Sequence, residues 1–219
     1  MYGFLKFGAA THMKALLREG LIYCNTVRYF QRLEQDQLRG DSFEGLCHFF
    51  RLSTHDLYVA DTLIADPGGT ISITRRADLR KNIFCVYSVG TNLGFIDHLN
   101  FRFGDMCVFI NNPPEFNRRI EIALRALKPR GQINVEGQLV KYVDRKNYDG
   151  PVGPFVKFDE FAYQSEFRYV MSPGIGRPFS FRIGSIEDIA TAFEPKMVNR
   201  VFGFDHVRGR AAAGAIVGV

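Results

Sequence analysis

Three polar side chains, Gln164, Glu166 and Arg168, fall on alternate positions of the stretch Phe161-Ala162-Tyr163-Gln164-Ser165-Glu166-Phe167-Arg168-Tyr169-Val170. In an extended strand they share one face at intervals of about 7 Å, and Ser165, Phe167 and Tyr169 take the other. An amide, a carboxylate and a guanidinium in a row can hold a sugar hydroxyl, steady a developing positive charge and orient a nucleophile. The same pattern fits an edge strand with a solvated face and a Glu–Arg pair, and on periodicity alone that is the simpler reading.

Other chemistries find little in the chain. No glycine has the neighbourhood of a phosphate-binding Gly-x-x-x-x-Gly-Lys-Ser/Thr loop. Gly174-Ile175-Gly176 follows a strand but lacks the third glycine of a dinucleotide fingerprint. His12, His48, His55, His98 and His206 show neither metal-ligand spacing nor a Gly-x-Ser-x-Gly partner. Arg39-Gly40-Asp41 reads as a turn with a salt-bridging rim.

The elements that must position the 164–168 stretch follow from apolar spacing. Residues 4–7 read as a strand, 11–19 as a helix that Thr11 caps and Gly20 ends, and 21–24 as a second strand. Residues 28–45 are charged and read as a functional loop with some helix. Short strands are predicted at 46–52, 57–60, 70–74, 83–87 and 106–110; the last two are apolar on both faces and should be central. Pro114 opens a helix with Phe116, Ile120, Ala123 and Leu127 on one face, and Pro129 ends it. Residues 132–135 and 139–143 read as a hairpin turning through Glu136-Gly137. Strands at 166–170 and 178–183 follow, then a helix capped by Ser185 and Asp188 and carrying Ile186, Ile189 and Phe193. The apolar residues 211–219 read as a last strand or a packed tail.

A chain of 219 residues with 46% hydrophobic and 23% charged residues can bury a large core, and its 21 Phe and 9 Tyr favour a β-rich fold with aromatic clefts. No linker or repeat divides it, so residues 1–219 are expected to form a single α+β domain. The net charge of +5 permits a polyanionic partner without requiring one. Basic clusters at Arg75, Arg76, Arg80 and Lys81, and at Arg118, Arg119, Arg125, Lys128 and Arg130, fit a nucleic-acid surface or solvated helix faces. Cys24, Cys47, Cys85 and Cys107 sit in strand-like runs as expected of buried, reduced thiols. With no signal-like start and no apolar run of membrane-spanning length, a cytoplasmic protein without membrane association is expected.

Gln164-x-Glu166 opening a late strand after Phe-Ala-Tyr resembles the Gln-x-Glu element of the ADP-ribosyltransferases, especially the Rho-modifying bacterial exoenzymes. The opening strand followed by Thr11-His12-Met13-Lys14-Ala15-Leu16-Leu17-Arg18-Glu19-Gly20-Leu21 is similar to the segment that begins many members of that superfamily, DNA-modifying toxins included. Cys85-Val86-Tyr87-Ser88 stands where the family has its Ser-Thr-Ser strand. The chain also resembles a bacterial and phage domain family of uncharacterised function, through residues 20–30, Gly40-Asp41-Ser42-Phe43-Glu44, residues 85–88 and Glu166-Phe167-Arg168. It departs from the arginine type in having Lys6, not Arg, as the cation of the first strand, and Ser88 lacks a second Ser or Thr two positions away.

The resemblance implies mixed, mostly antiparallel sheets forming a split β-sandwich with short flanking helices. It implies NAD as co-substrate, with transfer of ADP-ribose to an intracellular protein or nucleic acid by a bacterial or phage toxin or defence effector. On this reading Glu166 and Gln164 are catalytic and Ser88 supports Glu166. Lys6, Thr11, His12, Tyr87, Tyr163 and Arg168 bind the cofactor, with Phe30 a further stacking candidate, and Arg28, Arg39, Asp41 and Glu44 read the substrate. The competing readings are a non-catalytic nucleotide- or nucleic-acid-binding module of the same fold, and an interaction domain whose aromatic cleft grips a protein.

Overall fold

In the computed structural model, residues 2–33, 40–64, 68–90, 94–127 and 133–203 are described. The fold is α+β with mostly antiparallel pairing. Its centre is the strand Asn82–Val89, whose unbroken run of apolar and small residues lets both faces be covered. Along one side this strand pairs over most of its length with Glu166–Ser172, from Glu166 opposite Tyr87 to Met171 opposite Asn82. Glu166–Ser172 pairs in turn with Asn134–Leu139, so it is an interior strand, buried over its first six residues. The solvated edge strand that the alternation of polar residues allowed is ruled out.

The other side of the central strand is shared. The first strand, Gly3–Gly8, pairs only with Tyr87, Ser88 and Val89, and the second, Leu21–Thr26, only with Asn82 and Ile83. Between them no strand among the described residues faces the backbone of residues 84–86, and the sheet splits. The first strand continues outward through Met106–Ile110 to Ala190–Phe193, and the second through Phe179–Arg182. The helix Ala10–Glu19 bridges the two arms, and its Met13 and Leu16 pack with Phe4, Phe84 and the helix Pro113–Ala126 in the main core. Gly20 ends the first helix in the left-handed conformation, φ 61°, where an added Cβ would lie 2.0 Å from the carbonyl of Gly184.

Several expected elements differ. Thr11 is the second residue inside the first helix; Ala9 precedes the helix and offers no side-chain cap. Glu136-Gly137 is no turn, because Asn134–Leu139 runs straight through it. Gly137 is there for space: the Phe167 ring would approach an added Cβ to 3.0 Å. Lys141–Val143 departs to pair, in parallel, with Val156–Phe158. The helix predicted after Ser185 is a turn leading into Ala190–Phe193, because Asp188 is engaged by Arg119 and Ile186 donates its amide to the carbonyl of Leu17. Gln164 ends a 3-10 helix, Asp159–Gln164, and Ser165 turns left-handed at φ 40° before the strand begins at Glu166. The expectations for Arg39, Lys128, Pro129, Arg130, Gln132, His206 and residues 211–219 fall outside the described residues.

Candidate active site

The split opens a cleft of about 1020 Å³. Because it passes between the two arms, it is lined from both faces of the sheet: Leu5, Phe7, Cys85 and Tyr87 from one, Lys6, Met13, Phe84 and Val86 from the other. Lys6 spans the gap. Its ammonium donates to the Cys85 carbonyl at 2.7 Å and lies 4.8 Å above the Phe84 ring, satisfying a backbone acceptor that the missing strand leaves open.

On the far wall stands a buried chain of charges. Glu44 accepts from both terminal nitrogens of Arg168, at 2.7 and 3.1 Å, and Arg168 donates from Nε (3.1 Å) and Nη2 (2.8 Å) to Glu166 Oε2. Lys157 Nζ donates to Glu166 Oε1 at 3.0 Å and to Gln164 Oε1 at 2.8 Å. Tyr142 Oη accepts the Glu166 amide at 2.9 Å, and the Pro154 carbonyl takes a further Arg168 proton at 2.7 Å. Arg168 is 1% exposed and Glu166 9%, so these charges persist only because each is matched.

The electrostatics follow. Burial pushes the Glu166 carboxyl up, but the Arg168 and Lys157 charges beside it outweigh that and hold it well below the usual carboxylate range. Burial pulls Lys157 down, and Glu166, with Glu44 and Asp41 behind it, more than restores it. Asp41 is pushed up to about 6 by burial and by the neighbouring Glu44. The Cys85 thiol, pushed up to about 12 by burial and then by Glu166, is no nucleophile near neutral pH. Glu166 Oε2 takes two hydrogen bonds and Oε1 one, so among the described residues Oε1 keeps room for one donor entering from the cleft.

Seven of the thirteen residues singled out from sequence line this one cleft: Glu166, Gln164, Arg168, Lys6, His12, Tyr87 and Glu44. Phe30, the further stacking candidate, lines it too. Ser88 does not. Tyr87 is the residue opposite Glu166, so by alternation Ser88 turns to the other face, and its side chain cannot support the carboxylate. Its backbone does the anchoring: Ser88 N donates to the Ser165 carbonyl at 2.7 Å and Ser88 O accepts from Ser165 Oγ at 3.2 Å. Thr11 is exposed on the helix, away from the lining. The first-turn amide of Ala10 is taken at 2.6 Å by the carboxylate of Asp105, so the helix start beside Thr11 already holds an acid.

Tyr163 stands behind the wall, its hydroxyl 3.2 Å from Gln164 Nε2 and its carbonyl accepting from Asn100 at 2.7 Å. Arg28 is half-buried on the short helix Val27–Arg32 and is not among the lining residues. Asp41 is buried, its Oδ1 accepting the Phe43 amide and its carbonyl the Glu44 amide, each at 2.9 Å, so it meets the site through Glu44 and through its charge.

Sequence reasoning missed Lys157 and Tyr142. The sign of Lys157 was a single cation between two apolar residues in Val156-Lys157-Phe158, a strand short enough to hide its alternation. Among the described residues no group of three or more His, Cys, Asp and Glu could hold a metal ion, and no helix is long and apolar enough to cross a membrane. All four cysteines are free; Cys24 and Cys107 are buried, Cys47 and Cys85 half-buried. No protein-family model, curated protein or solved structure matches the chain.

Proposed function

We propose that the chain is an ADP-ribosyltransferase-like enzyme that binds NAD in the split of its sheet and transfers ADP-ribose to a macromolecular acceptor, a protein or a nucleic acid. The observation that carries this is Glu166: a buried carboxylate paired with two cations at the wall of a concavity of dinucleotide size, with Gln164 beside it. The lining suits the cofactor. Phe7, Tyr23, Tyr29, Phe30, Tyr87 and Phe103 offer ring faces for two flat heterocycles, and Lys6 brings positive charge toward a diphosphate with the His12 ring on the same lining. Asp105 works against a diphosphate at the helix start and directs it toward Lys6.

NAD would supply the transferred group: its ribose–nicotinamide bond breaks, nicotinamide leaves, and the acceptor nucleophile bonds to the ribose and gives up a proton. Glu166 holds a fixed negative charge against the positive charge that builds on the sugar, a contribution of roughly 3–4 kcal/mol for groups of this kind. Paired with two cations, Glu166 is too weak a base to take the acceptor proton, and the Gln164 amide takes none. The acceptor must therefore be a good nucleophile already or bring its own base.

One observation favours the second reading, a binding module without turnover. The Glu166 charge is already matched by Arg168 and Lys157, and the Ser88 side chain faces away from it. The two readings separate in one assay: the purified chain with labelled NAD and a crude mixture of protein, RNA and DNA, run beside Glu166→Gln. Label transfer or nicotinamide release that the substitution abolishes supports catalysis. NAD binding without release supports the module, and absence of NAD binding at millimolar concentration rejects both.

A further inference from the structure

We propose that Lys157 is the positioning residue of this site, the group that fixes Gln164 and Glu166 as one unit. The inference rests on the reading of Glu166 as the working carboxylate, but its geometry stands independently of NAD. Lys157 comes from Val156–Phe158, a strand outside the main sheet, and its ammonium touches an oxygen of each partner, at 2.8 Å for Gln164 and 3.0 Å for Glu166. It is 6% exposed and lies 4.7 Å over the Phe161 ring, so it has little freedom to swing away.

Two features make Lys157 more than a structural pair. Gln164 precedes the strand, in a 3-10 turn followed by a left-handed residue, so the sheet does not set its direction; the bond from Lys157 fixes its carbonyl oxygen while its amide nitrogen donates to Tyr163 Oη. Arg168 already binds Oε2 twice and shares its remaining reach with Glu44 and the Pro154 carbonyl, so Oε1, the oxygen with room for a ligand donor, depends on Lys157. Other groups press on Glu166 from the elements around it: Tyr142 from Lys141–Val143, Cys85 from the central strand, and Glu44 and Asp41 from residues 40–45. Tyr142 and Cys85 are neutral near pH 7, because burial and then Glu166 raise both. Glu44 and Asp41 add negative charge; Arg168 and Lys157 oppose it in direct contact with Glu166, and Lys6 of the first strand faces the same cleft. With Lys157 gone, Arg168 must serve two carboxylates alone, and the Glu166 titration rises.

The test uses the full chain with ¹³C-labelled glutamate side chains, Glu166 being assigned by its loss in Glu166→Gln. The Glu166 carboxyl is titrated by NMR in the wild type, Lys157→Met and Lys157→Arg, and nicotinamide release is followed in the same samples. We expect the Glu166 titration in Lys157→Met to move up by at least one pH unit and to return toward the wild-type value in Lys157→Arg. We expect kcat to fall at least tenfold with KM changed less than threefold, and the acid limb of the kcat profile to move with the titration. Should Lys157→Met not fold, Lys157→Gln removes the charge and keeps a donor, and the same shift is read there. A Glu166 titration unmoved in a folded, charge-free variant overturns the inference, as does a loss seen only in KM. If the wild type releases no nicotinamide while the titration shifts as described, Lys157 keeps its positioning role and the enzyme reading is what fails.

Discussion

On one face of the Glu166–Ser172 strand, Phe167, Tyr169 and Met171 pack against Phe4, Phe84 and Phe116 in a core without charge. On the other, Glu166 and Arg168 belong to the chain of charges that runs from Glu44 to Lys157. Both faces are buried, yet they contribute to the fold with opposite sign. The first gains roughly 25 cal/mol for each Å² of apolar surface taken from water. The second must offset the desolvation of four ions, and chains of this kind are often no more stabilising than well-packed apolar residues of the same volume. The charge chain lies along the wall of the cleft in the split of the sheet, and the apolar face stabilises the strand that carries Glu166 and Arg168.

Breaking the charged face should have the larger effect. Arg168→Met leaves Glu166 with Lys157 alone and Glu44 without the guanidinium it pairs with, and is expected to cost about 3–5 kcal/mol at neutral pH. With its larger cation gone the Glu166 carboxyl titrates higher than in the wild type, so the loss should shrink as pH falls. Urea unfolding at pH 7 and pH 5 reads both effects. Met171→Ala, on the apolar face of the same strand, empties a site of 0% exposure and should cost about 2–5 kcal/mol. That loss should be equal at the two pH values, and a pH-dependent one would collapse the distinction between the faces.

Asp41 sharpens the comparison from the charged side. Its carboxyl is raised from 3.8 to about 6, so its contribution is fully present below the unfolded value and is lost as pH rises through about 6. Asp41→Asn should therefore gain on the wild type between pH 4 and pH 7.5, by at most about 3 kcal/mol. Glu166 runs the other way: depressed in the fold, it contributes above its unfolded value and loses that contribution as pH falls. A stability profile of Asp41→Asn parallel to that of the wild type would show that Asp41 does not feel the charge chain. The smallest effect expected is that of Gly137→Ala, an overpacking against the Phe167 ring of about 1–3 kcal/mol that should leave the Glu166 titration unchanged.

The apolar face was the legible one. The central strand, its neighbour Met106–Ile110 and the helix Pro113–Ala126 announce themselves through runs or spacings of apolar residues, because burial acts directly on residue type. The charged face was legible only in part. Alternation brought Gln164, Glu166 and Arg168 together, correctly in space and wrongly in cause, since a left-handed Ser165 and Lys157 hold Gln164 in line, not a strand. Lys157 reaches Glu166 from a separate strand and Glu44 pairs with Arg168 from far along the chain, and no periodicity carries either pairing. Ser88 was misplaced by one residue of register, which in a strand exchanges the two faces. Gly137 looked like a turn because a glycine that makes room for a ring leaves the same letter as one that bends the chain.

The central claim is that the fixed charge of Glu166 acts on a ligand in the split of the sheet. The most direct measurement compares wild type with Glu166→Gln for NAD affinity by calorimetry and for nicotinamide release under saturation. The account predicts dissociation constants within about threefold of each other and release slowed by about 10²–10³-fold, the loss expected for one electrostatic group. Equal release by the two proteins, or an effect confined to affinity, would contradict it.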